Sequence, residues 1–143
     1  MSPLSKEDVE IKAGGGHGYV KVDSARLAKA NQNRHQRDVF DKEHQMCKTL
    51  SANGYNVTMI EESPRESSCD IIMDGKLAEL KSMTGSSNVY KYGVDAINRK
   101  RAELVIFMFA GMNDRIRQQL ERLSDKGIKG FYYVKGSSKL ERF

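Results

Sequence analysis

The dipeptide Asp74-Gly75 separates two apolar runs, CDIIM over residues 69–73 and KLAELKSM over residues 76–83, and no other feature of the chain leaves fewer structural options. Asp-Gly suits the two positive-φ positions of a tight hairpin reversal, so the segment reads as two antiparallel strands joined by a two-residue turn. That register sets Met73 against Lys76, Ile72 against Leu77 and Ile71 against Ala78, and it brings Asp70 opposite Glu79. Side chains facing each other across such a pair have Cβ atoms about 4.5–5.5 Å apart, and like charges there repel. Two carboxyl groups so placed need a shared proton or a cation between them. A divalent cation with oxygen ligands meets that need, and magnesium commonly takes one or two carboxylates together with substrate phosphate.

The strand after the turn has a period of two, so Glu79 and Lys81 share one face while Ala78 and Leu80 share the other. An ammonium group beside a bound cation can orient an attacking water and stabilise charge growing on a phosphoryl group. Upstream, residues 23–53 read as helical and end at Asn53-Gly54, a helix stop. On that helix Val39, Phe40, Met46, Cys47 and Leu50 form an apolar stripe, and at about 100° per residue Glu43 falls within it. A carboxylate aimed at a core is costly unless it is paired or holds a cation, so Glu43 is a third candidate metal ligand. Plainer readings stand beside these. Glu79 and Lys81 also make sense as a surface pair, Asp70 as a cap of the preceding turn, and Glu43 as the partner of a nearby arginine.

The remaining pattern fills in the frame. Residues 55–60 alternate as a strand, EESPRESS over 61–68 is a polar loop, and 84–88 form a Gly/Ser loop. Residues 89–103 read as helix, 104–109 (LVIFMF) as a strand covered on both faces, 113–126 as an amphipathic helix capped by Asn113 or Asp114, and 131–134 as a last strand. The order helix, three strands, helix, strand, helix, strand implies an α/β (α+β) domain with a mixed sheet flanked by helices. Residues 1–20, with Gly14-Gly15-Gly16-His17-Gly18, read as a flexible leader, and 21–143 as a single domain.

Composition narrows the class. With 38% hydrophobic and 30% charged residues and no apolar run of about 18–20 residues, the chain reads as soluble and globular, with no membrane partner. The N-terminus lacks the apolar stretch of a signal peptide, which points to the cytoplasm of the producing or a target cell. Cys47 and Cys69 lack a close spacing and are expected as buried thiols. A net charge of +5 is compatible with a polyanionic partner.

Asp70-x8-Glu79-x-Lys81 behind a helix carrying Glu43 resembles the PD-(D/E)XK nuclease superfamily, whose restriction-endonuclease-like αβββαβ core matches the order read over residues 36–109. Cys69 stands where that motif carries proline. The resemblance implies a hydrolase of phosphodiester bonds in which Asp70 and Glu79 hold one or two divalent ions (Mg2+ or Mn2+, with Zn2+ as an alternative). It gives Lys81 the task of assisting the water nucleophile, with Glu43 joining the site. More narrowly, NGYNVTMIEES…SCDIIMDGKLAELKSMTGSSN is similar to the C-terminal tRNA nuclease domain of contact-dependent growth-inhibition toxins, and to related nuclease domains of polymorphic toxins, phages and mobile elements. This second resemblance spans residues 34–134 and implies RNA cleavage, tRNA foremost and RNA ahead of DNA, together with a cognate immunity protein.

Candidate substrate contacts are Lys91, Arg99, Lys100 and Arg101 around the helix after the hairpin, Lys76 at its tip, and Ser82 and Thr84 in the loop beyond Lys81. Tyr90, Tyr92, Tyr132 and Tyr133 can stack bases or pack the core. Two other functions compete. One is a metal-independent ribonuclease of the barnase, EndoU, colicin or RelE type, using Lys81, Ser82, Thr84 and His17. The other is a non-catalytic nucleic-acid-binding module on the same scaffold.

Overall fold

A computed structural model describes residues 2–61 and 69–143; the loop expected over 61–68 lies, apart from Glu61, outside the described residues. The hairpin forms as its sequence dictates. Strands β3 (Ile71–Met73) and β4 (Lys76–Met83) pair antiparallel with Ile71 opposite Ala78, Ile72 opposite Leu77 and Met73 opposite Lys76. Asp74 and Gly75 take φ values of 47° and 83°, both positive, as a type I′ turn demands.

Around it, a seven-stranded mixed sheet follows chain order: β1 (Val20–Val22), β2 (Val57–Met59), β3, β4, β5 (Leu104–Phe109), β6 (Gly130–Val134) and β7 (Glu141–Arg142). β4, β5 and β6 run parallel, as do β1 and β2; the other neighbours are antiparallel. The long helix α3 (Arg34–Ala52) covers one face with Phe40, Met46, Cys47 and Leu50. Helices α4 (Val89–Asn98) and α5 (Asp114–Asp125) pack with the apolar cluster of the other face, around Val105, Phe107 and Phe109. β5 is therefore buried on both sides, which is why its sequence is continuously apolar. Cys47 and Cys69 are buried thiols, and Cys69 donates to the Lys100 carbonyl at 3.2 Å.

Three expectations are corrected. The helical stretch 23–53 is two helices, α2 (Ser24–Ala30) and α3, because Asn33 turns extended and caps α3 by accepting from the Gln36 amide at 2.9 Å. The helix expected over 89–103 ends at Asn98, and Arg101 takes a left-handed φ of 57° before β5 begins. The leader is not separate from the body. It contains helix α1 (Lys6–Val9), buries Val9, and hydrogen-bonds the Val9 carbonyl to His44 Nε2 at 2.7 Å. Ile11 bridges Val20, whose strand is the first of the sheet. Among the described residues, no helix is long and apolar enough to cross a membrane.

Candidate active site

The unequal lengths of β3 and β4 create the site. β3 begins at Ile71, so β4 continues past Ala78 without a ladder partner on that side among the described residues. The Leu80 amide, facing the gap, donates instead to Asp70 Oδ2 at 2.9 Å. The gap opens into a cavity of about 360 Å3 lined by Glu43 and Met46 of α3, Asp70, Glu79–Ser82 of β4, Arg26 and Lys29 of α2, and Lys100. Glu43, Asp70, Glu79 and Lys81, proposed from three separate stretches of sequence, thus share one cavity wall.

Its electrostatics are those of crowded acids. The Asp70 carboxyl group stands close enough to those of Glu43 and Glu79 to raise both of their pKa values. Burial, followed by the charge and hydrogen bond of Asp70, lifts Glu79 from 4.5 to about 9. Burial first and Asp70 second lift Glu43 to about 7, outweighing the Arg26 guanidinium 2.7 Å away. Glu79 is only 1% exposed, and neither of its oxygens makes a hydrogen bond of full geometry among the described residues, although the Lys100 ammonium stands 3.2 Å from Oε2. The Lys81 ammonium lies over the Tyr92 ring, 5.1 Å from its centroid.

As they stand, no three His, Cys, Asp or Glu side chains among the described residues are arranged as ligands of an ion. The donor chemistry nevertheless fits a hard divalent cation: carboxylate oxygens, two of them buried on Glu79 without a good donor, and no thiolate or imidazole lining the cavity. A divalent ion held there would bring positive charge to these crowded acids.

The substrate-contact candidates divide. Lys100 and Ser82 line the cavity, Lys100 as the counter-charge of Glu79. Thr84, Lys91, Arg99 and Arg101 are exposed and do not line it, and Arg99 sits 3.8 Å from Asp95. Lys76 borders a different cavity at the turn end of the sheet. His17, needed by the metal-independent reading, lies in an exposed turn bridged to Gly14 and is outside the cavity wall. Arg26 escaped the sequence reading. Its signal was an arginine four residues before Ala30 on the buried face of α2, a position that demands a buried partner.

No family model and no curated protein sequence matches the chain. Its fold is similar to that of a chain of the CdiA-CT/CdiI toxin and immunity complex from Burkholderia pseudomallei, with a TM-score of 0.59 and 14% sequence identity over 78% of this chain and 89% of the other.

Proposed function

We propose that the chain is a metal-dependent nuclease of the PD-(D/E)XK type that cleaves RNA, tRNA foremost, and acts as a toxin held in check by a cognate immunity protein. The observation that carries the nuclease reading is the convergence of Glu43, Asp70, Glu79 and Lys81 on one cavity, where burial and the neighbouring Asp70 raise the pKa of both glutamates. The toxin reading is supported by the fold shared with a chain of a toxin and immunity complex.

Asp70 and Glu79 are the residues to hold a divalent ion, with Glu43 behind them, anchored by Arg26. When bound, such an ion polarises the phosphate and lowers the pKa of a water. The chain's own contribution is positional. Lys81 projects from the same strand as Glu79, two residues on, and its ammonium donates to the attacking water or to the phosphoryl oxygens as negative charge accumulates there. Lys100 offsets the charge of Glu79 until substrate enters. The test is incubation of the pure protein with total tRNA and with plasmid DNA, in Mg2+, Mn2+ or Zn2+ and in EDTA. Cleavage that needs the ion and stops in EDTA is the expected result. Cleavage that survives EDTA removes the metal mechanism, and binding without turnover leaves a non-catalytic module.

A further inference from the structure

A second cavity, of about 580 Å3, adjoins the acid site and shares Lys42 and Ser82 with it. α3 forms the common wall. Gln36, Val39, Lys42, Glu43 and Met46 face the first cavity, and Lys42, Gln45, Lys48, Thr49 and Ala52 face the second, so the two run end to end along one helix. The floor of the second cavity is a row across three parallel strands, Ser82 of β4 opposite Met108 of β5 opposite Tyr133 of β6. The row lies near the carboxyl ends of those strands, where open α/β sheets take their ligands. Lys135 and Ser137 of the loop after β6 close the far side.

The lining of this cavity is basic, with three lysines and no acid. Lys42, Lys48 and Lys135 have no ion-pair partner among the described residues, as is also true of Lys6 and Lys126 elsewhere on the surface, so what marks this cavity is the gathering of three such groups around one opening. Unneutralised ammonium groups around an apolar floor of Met108 and Tyr133 suit phosphates flanking an unpaired base, since a base within a duplex has its faces covered by its neighbours.

We infer that this trough is a subsite for single-stranded nucleic acid, in which Lys48 and Lys135 hold phosphates next to the one being cut while a base rests on Met108. The inference rests on the phosphodiesterase reading for its register, but binding can be read without turnover. The experiment is fluorescence anisotropy of a labelled 12-nucleotide single-stranded RNA with the full chain in EDTA, over a range of salt concentrations. It compares wild type, Lys48→Ala/Lys135→Ala, and Lys6→Ala/Lys126→Ala, a control of equal charge loss on exposed residues outside both cavities.

The cavity variant should bind about tenfold or more weakly, with a salt slope shallower by about 1.4, two contacts at about 0.7 each. The control should change less than about twofold by the same reasoning. Equal losses in both variants, no loss in either, or no binding by the wild type would overturn the inference. The two readings fail separately. If no metal supports cleavage yet the cavity variant alone loses binding, the nuclease is wrong and the strand site stands. If the wild type cleaves and the cavity variant binds and cleaves with unchanged affinity and KM, the strand site is wrong and the nuclease stands.

Discussion

Glu79 is buried beside a second carboxyl group, with the Lys100 ammonium 3.2 Å away as counter-charge. Such a side chain costs stability, and a binding or catalytic task is what commonly keeps one in place. Asp70→Asn and Lys81→Ala should each lower cleavage by about 10²-fold or more while leaving the thermal midpoint close to wild type, since the asparagine oxygen still accepts from the Leu80 amide and Lys81 is no part of the apolar core. Wild-type turnover in either variant would remove that residue from the mechanism. Glu43 separates two roles by the choice of replacement. Arg26 is 5% exposed, and Glu43→Ala strands its guanidinium, at an expected loss of about 3 kcal/mol or more in denaturant unfolding. Glu43→Gln keeps an oxygen for Arg26 and should cost far less stability, yet still weaken the metal response. A metal titration unchanged in Glu43→Gln would leave Glu43 a purely structural partner of Arg26.

Among the elements, the hairpin decides the geometry, because its two-residue turn fixes which side chains meet at the open end of β3 and β4. Gly75 sits at φ 83°, so Gly75→Ala should destabilise by about 1–2 kcal/mol, measurable as a lower midpoint in urea. If the strained turn shifts the register, activity falls with it. This local rule is why the hairpin register, Ile71 opposite Ala78 through Met73 opposite Lys76, was legible in the sequence: turn chemistry and a period of two need no knowledge of the rest of the fold. β5 was legible for a similar reason, its unbroken apolar run meaning burial on both faces. What escaped was tertiary. The break at Asn31–Asn33 is set by a single side-chain cap, the docking of α1 by one carbonyl bonded to His44, and the place of Arg26 by a partner 17 residues away. Lys100 looked like a phosphate contact from its basic neighbours, and only the chain reversal at Arg101, a backbone conformation with no marked residue type, accompanies its turn toward Glu79.

For the whole molecule, the raised carboxyl groups couple folding to protons and to cations. Both folded pKa values, about 7 for Glu43 and about 9 for Glu79, lie above the ordinary 4.5. Their contribution to stability is therefore complete below about pH 4.5 and is lost as pH rises through 7 and then 9. The metal-free protein should melt progressively lower from pH 5 to pH 9 on this account, Mn2+ should restore the loss at the alkaline end, and Glu79→Gln should flatten the profile. A wild-type profile that rises over that range would contradict the assignment. The central claim, that these acids exchange their protons for a divalent ion, is tested most directly by calorimetric titration of Mn2+ into wild type and into Asp70→Ala at pH 7.5. The account predicts saturable binding with proton release in the wild type and its loss in the variant. Equal binding by both proteins, or none by the wild type, would contradict it.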